Sequence, residues 1–103
     1  MPLRLVDEGY DVWFGNNRGC LYSNKNDRDG EWSLAERWNF SWAEMGVYDQ
    51  PAQISKVLEV TGKAKVTVIG YSQGGAQVIY GMASKPDFFA KSVNRFVGSD
   101  ACV

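Results

Sequence analysis

Of the residues in this chain, Ser72 is the one best placed for covalent chemistry. It stands at the centre of Gly70-Tyr71-Ser72-Gln73-Gly74, directly after the β-prone run Val66-Thr67-Val68-Ile69 and directly before the apolar-patterned residues 73–84. A strand that turns into a helix at a single residue forces that residue into strained backbone geometry and lifts its side chain clear of the sheet. Side chains two positions to either side would collide with so tight a turn, which accounts for glycine at 70 and 74, and Gly75 gives further clearance where the helix packs close. The hydroxyl then stands over the C-terminal end of the strand, where open parallel sheets bind ligands. From there it could attack a carbonyl carbon, and the N–H of Gln73, at the helix N-terminus, could hold the resulting oxyanion. The same pentapeptide also occurs as an incidental Gly/Ser turn. Its position between a β-prone run and an apolar-patterned helix favours the elbow.

A serine hydroxyl is a weak nucleophile until a base takes its proton, and imidazole is the common base. The chain contains no histidine. Either Ser72 does no such chemistry, or the base lies outside these residues. Other candidates carry smaller claims. Arg18 follows a β-prone run within a Gly/Asn loop, but the loop lacks phosphate-binding glycine spacing, so the guanidinium is expected to pin the loop by hydrogen bonds rather than grip an anion. Asp100, at the end of a third β-prone run, is expected to be an ordinary loop carboxylate rather than a catalytic acid. Of the four tryptophans, Trp13 and Trp42 are assigned to the core. Asn39-Phe40-Ser41 is a glycosylation sequon, although Ser41 is also wanted as a helix cap. Cys20 and Cys102 fit no metal-ligand spacing and are read as unrelated free thiols. No metal and no cofactor is expected.

The elements that must position these residues follow from pattern. Leu3, Leu5 and Val6 look like the last turns of a helix ended by Gly9 in the left-handed conformation. Residues 10–14 are rich in aromatic and β-branched side chains and read as a strand. Residues 15–31 have loop composition. Ser41 and Glu44 have capping-box spacing, so a helix should begin there, with Met45, Tyr48, Ile54, Val57 and Leu58 on its buried face. Pro51 interrupts that helix: it either kinks or restarts, and a restart capped by Asp49 is favoured. Thr61-Gly62 ends it. Residues 66–69 read as a strand buried on both faces. Residues 73–84 form the next helix, with Ala76, Val78, Ile79, Tyr80 and Met82 available for burial. Residues 87–91 make a short helical turn and residues 95–98 a third strand. Strands alternating with helices imply an α/β architecture with a parallel sheet.

Bulk composition agrees with a folded domain and narrows its partners. Apolar residues make up 45% of the chain, and 11 basic against 12 acidic side chains leave a formal charge of −1. That balance offers no electrostatic footprint for nucleic acid, and no apolar run is long enough for a stable membrane span.

Three blocks of residues make the chain resemble the acid lipase family, the group of lysosomal acid lipase and gastric lipase within the α/β-hydrolases. They are Gly9-Tyr10-Asp11-Val12-Trp13 with Gly15-Asn16-Asn17-Arg18-Gly19 and Tyr22-Ser23; then Trp38, Phe40-Ser41, Glu44-Met45, Tyr48-Asp49 and Pro51-Ala52; then the pentapeptide Gly70 to Gly74. Tyr71 stands where the family usually has histidine, and Asn39 where Asp is more common. The resemblance implies a partial α/β-hydrolase fold over residues 1–103, a parallel-sheet fragment with flanking helices and a nucleophile elbow. It also implies a serine lipase or esterase that hydrolyses lipid esters such as acylglycerols or sterol esters. Ser72 would be its nucleophile, Gln73 its oxyanion donor, and Gly70 and Gly74 its elbow glycines. The triad Asp and His, and the His-Gly segment of the oxyanion hole, would fall outside the chain, which accounts for the absent histidine. The resemblance suggests a lysosomal, secreted or lipid-associated protein. It further implies that the strands at 10–14 and 66–69 are not neighbours, whereas those at 66–69 and 95–98 pair in parallel. Another esterase or thioesterase activity, or a non-catalytic binding role on the same fold, are the alternatives.

Overall fold

The computed structural model describes residues 2–23 and 33–101. Residues 24–31 of the expected loop, together with Trp32 and Cys102, lie outside that set. Helix α1 spans Pro2–Asp7, and Gly9 closes it with φ of +92°. Two short helices, α2 (Leu34–Arg37) and α3 (Trp42–Glu44), each begin with a capping box, from Ser33 with Glu36 and from Ser41 with Glu44. A π-helical turn over Met45–Asp49 joins α3 to α4 (Gln50–Thr61), which Gly62 ends in the left-handed conformation. Strand β1 (Val66–Tyr71), helix α5 (Gln73–Ser84), helix α6 (Pro86–Ser92) and strand β2 (Val93–Ser99) follow.

Pro51 neither restarts nor breaks the helix, contrary to the sequence expectation. The chain widens instead: the N–H of Gln50 donates to the carbonyl of Met45, five residues back. A π turn relieves the clash that a proline ring makes with the carbonyl four residues earlier, and the missing N–H is absorbed in the wider turn. Asp49 therefore stays in helical geometry and makes no cap. Its carboxylate is used elsewhere, by Arg18.

β1 and β2 pair in parallel, with Val68 opposite Phe96 and Tyr71 opposite Ser99, and with a bulge between Val66 and Thr67. One face of this two-stranded sheet is covered by the helices. Ile54 of α4, Val78 of α5 and Phe89 of α6 form the core, and Val66, Val68, Val93 and Phe96 pack against it. Burial of side chains of this size stabilises the fold by about 1.5–3 kcal/mol each.

Several burial expectations are corrected. β1 is covered on one face only, and Ile69 and Val97 remain 40% and 44% exposed on the other. Ile79 and Tyr80 of α5 also face outward. Residues 10–14 form no strand: the sheet contains β1 and β2 alone, and no ladder joins 10–14 to β1. Extended backbone becomes a strand only by pairing, and among the described residues nothing pairs with this segment. For the same reason Trp13 is not in the core. Trp42 stays half-exposed too, its ring set edge-on against Tyr80 at 5.2 Å.

Candidate active site

The elbow is built from backbone contacts that only glycine permits. At Ser72 the chain adopts φ 52° and ψ −122°, a positive-φ conformation that is uncommon for a residue with a Cβ. Holding it costs on the order of 1–3 kcal/mol, which the surrounding structure must offset. The fixing contacts are evident. The N–H of Ser72 donates to the carbonyl of Ser99 at 2.9 Å, so the ends of β1 and β2 are level at the turn. The Ser72 carbonyl accepts from the N–H groups of Gly75 and Ala76 at 3.0 and 3.3 Å, which starts α5. Ser72 is half-buried, and its side chain does not cap the helix it precedes.

Gly70 is buried, and a Cβ placed on it would lie 2.7 Å from Gly75 Cα and 2.8 Å from Gly75 N. A Cβ on Gly75 would lie 2.6 Å from Ala101 Cβ. The strand end, the helix start and Ala101, two residues beyond β2, thus meet too closely for a side chain at 70 or 75. Gly74 differs from the expectation, because a Cβ there would meet nothing within 4 Å. Its Cβ direction points out of the turn, and the clearance that the sequence reading divided between 74 and 75 falls to Gly75.

Gln73 opens α5, where the first helical N–H groups have no acceptor within the helix and favour negative charge. Gln73 also lines an open groove of about 520 Å³ whose other walls include Asn17, Arg18, Trp38, Phe40 and Met45. The loop that forms one wall is held by side chains. Arg18 donates from Nε to Asp49 Oδ1 at 2.8 Å, from Nη2 to the same oxygen at 2.7 Å, and from its backbone N–H to Asp49 Oδ2 at 2.8 Å. Its guanidinium also stands 5.8 Å from the ring centres of both Phe40 and Tyr48. This arrangement pins the loop, with the carboxylate of Asp49 occupying the fork an anion would otherwise take.

Other candidates fall in place around this arrangement. Asp100, exposed, follows β2 in a positive-φ turn (φ 49°) one residue beyond the carbonyl that bonds Ser72. Asn39 is exposed between α2 and α3, and the Ser41 hydroxyl of its sequon is engaged with Glu44 Oε2 at 2.7 Å. That bond, with a second from the Ser41 N–H, holds the Glu44 carboxyl below the ordinary carboxylate range. The thiol of Cys20 donates to the Asn17 carbonyl at 2.9 Å. Among the described residues, no group of three or more His, Cys, Asp or Glu side chains is gathered as for a metal, and no helix is long and apolar enough to cross a membrane. The sequence reading did not single out Gln53 or Gln77, whose amides tie the loop to α4 and α5. The one available signal was a polar residue in the midst of Ala76, Val78 and Ile79.

The model of the α/β-hydrolase fold family matches residues 3–101. The chain belongs to this family. Within it, the chain is 41% identical over 102 residues to a probable lipase of Schizosaccharomyces pombe, an alignment that covers 95% of this chain and 22% of that protein. It is 42% identical over 92 residues to a lipase of Caenorhabditis elegans (89% of this chain, 22% of the relative). Mouse gastric triacylglycerol lipase is 41% identical over 92 residues (89% and 23%). The resemblance drawn from the three sequence blocks is thereby borne out. The chain spans about a fifth of the length of these α/β-hydrolase relatives, and that fifth contains the elbow.

Proposed function

We propose that the full-length protein carrying this chain is a serine hydrolase of lipid carboxylic esters, with Ser72 as its nucleophile. The observation that carries the reading is the conformation of Ser72: a positive φ at a non-glycine residue, held between β1 and α5 by contacts at Gly70 and Gly75. Strain of this kind is kept where it presents a side chain for use. The relatives' names, two of them lipases and one a triacylglycerol lipase, support lipid esters as the substrate class, as does a groove walled in part by Trp38, Phe40 and Met45 beside the elbow.

In this mechanism a general base removes the Ser72 proton as Oγ bonds to the ester carbonyl carbon. The carbonyl oxygen becomes an oxyanion beside the Gln73 N–H. Collapse breaks the bond to the alcohol, which leaves with the proton, and an acyl-enzyme remains on Ser72 until water, deprotonated by the same base, releases the acid. The chain has no histidine, so that base is supplied from elsewhere in the full-length protein. The test has two parts. The purified 103-residue chain should turn over p-nitrophenyl esters no faster than buffer. The full-length protein should hydrolyse them, and Ser72→Ala should remove most of that rate together with covalent labelling by a fluorophosphonate. Labelling that persists in Ser72→Ala would assign the nucleophile to another residue.

A further inference from the structure

Gln77 lies one helical turn after Gln73 on α5 and is 1% exposed, a primary amide within an otherwise apolar run. Buried without partners, such an amide would be strongly disfavoured, and a leucine or methionine would fill the same space without that penalty. Its partners come from distant parts of the chain. Gln77 Oε1 accepts from Asn17 Nδ2 at 2.9 Å and from Gln50 Nε2 at 3.2 Å, and Gln77 Nε2 donates to Met45 Sδ at 3.2 Å. Asn17 is in turn gripped from its other side, its Oδ1 accepting from Gln53 Nε2 at 3.1 Å, while the same nitrogen donates to the Asn16 carbonyl at 3.0 Å. The backbone of α5 is equally fixed here, because a Cβ on Gly46 of the π turn would lie 2.5 Å from the Gln77 carbonyl oxygen.

The consequence concerns the groove. Gln73, Met45 and Asn17 all line it, and each is joined to Gln77, by one turn of helix in the first case and by a hydrogen bond in the other two. The loop wall carries no regular backbone ladder of its own, so its distance from the elbow is set by side-chain bonds, those of Asn17 to Gln77 together with those of Arg18 to Asp49. We propose that Gln77, acting through Asn17, is a positioning residue that fixes the groove wall at the distance from Gln73 needed to accept the acyl chain of the ester. This rests on the reading of Ser72 as the nucleophile and goes beyond it by assigning chain-length selectivity to a residue that does not touch the reacting atoms.

The test compares Gln77→Met, Asn17→Ala and the double variant in the full-length protein, using p-nitrophenyl octanoate and acetate as substrates. Rates are expressed per site labelled by fluorophosphonate, which removes misfolded protein from the comparison. Each single variant should lower the octanoate-to-acetate ratio of kcat/KM about tenfold, the size of one net hydrogen bond. The double variant should lose less than the product of the two single losses, because both singles remove the Asn17–Gln77 bond. An unchanged octanoate-to-acetate ratio, or losses that multiply in the double variant, would overturn the proposal. A second measurement does not depend on catalysis. In the full-length protein, Gln77→Met should speed amide hydrogen exchange at residues 16–19 and leave β1 protected, and unchanged exchange at 16–19 would equally overturn it. Failure of the nucleophile assignment would show differently, as labelling that persists in Ser72→Ala or as a wild-type protein that is neither labelled nor active.

Discussion

Gly70→Ala places a methyl carbon 2.7 Å from Gly75 Cα, 2.8 Å from Gly75 N and 3.0 Å from the carbonyl carbon of Gly74. Carbon atoms rest at about 3.5–4.0 Å, so the strand end and the helix start must part by roughly 0.8 Å or more. All three obstructing atoms are backbone, and no side-chain rotation can relieve the overlap. Overpacking of this kind costs about 1–3 kcal/mol, and the absence of a flexible neighbour puts Gly70→Ala in the upper half of that range. For a domain of ~100 residues, a loss of about 2–3 kcal/mol lowers the thermal midpoint by roughly 10–20 °C. Gly74→Ala is the control. It sits in the same pentapeptide, but its Cβ meets nothing within 4 Å, and alanine is the better helix former by up to about 1 kcal/mol. The expected result is therefore opposite in sign: Gly70→Ala destabilises, while Gly74→Ala is neutral or mildly stabilising. Urea denaturation followed by circular dichroism, with the thermal midpoint as a second reading, measures both. Equal destabilisation by the two substitutions would refute the reasoning, because it would mean that the pentapeptide's glycines act through turn flexibility and not through the Gly70–Gly75 approach.

Two further outcomes follow from the side chains around the elbow. Asp49→Ala removes the partner of the Arg18 guanidinium and of the Arg18 N–H together, and should cost about 2–3 kcal/mol by denaturant midpoint, whereas Asp49→Asn keeps an acceptor oxygen and should cost less; equal effects would make the charge irrelevant. Glu44 should titrate below the ordinary carboxylate range in an NMR pH titration and return toward it in Ser41→Ala, since the Ser41 hydroxyl is the main cause of the lowering. A depressed folded pKa gives α3 a stabilising contribution that is complete above the ordinary carboxylate value and is lost as pH falls through the lowered one, so acid should loosen the first turn of α3 first.

The sequence by itself determined the elements whose cause is local. Helix starts at Ser41 and stops at Gly9 and Gly62 were legible because a capping hydroxyl or a left-handed glycine acts within a few residues of itself. The capping box at Ser33 carries the same signal, although the loop-like composition around it hid α2. Residues 66–75 were legible as strand, turn and helix for a related reason: one short segment holds both the geometric constraint and the glycines that relieve it. Tertiary structure decided everything that depends on partners far along the chain. It chose the π turn at Pro51 and gave Asp49 to Arg18, 31 residues away, in place of a helix cap. It moved the close contact of the elbow from Gly74 to Gly75, because Ala101 beyond β2 supplies the opposing atom. It left residues 10–14 without a ladder and one sheet face uncovered, since pattern records a strand's propensity but not which neighbour pairs with it. It also buried Gln77 with a partner 60 residues away, because whether a polar side chain is satisfied depends on what the fold brings to it and not on its own place in a helix.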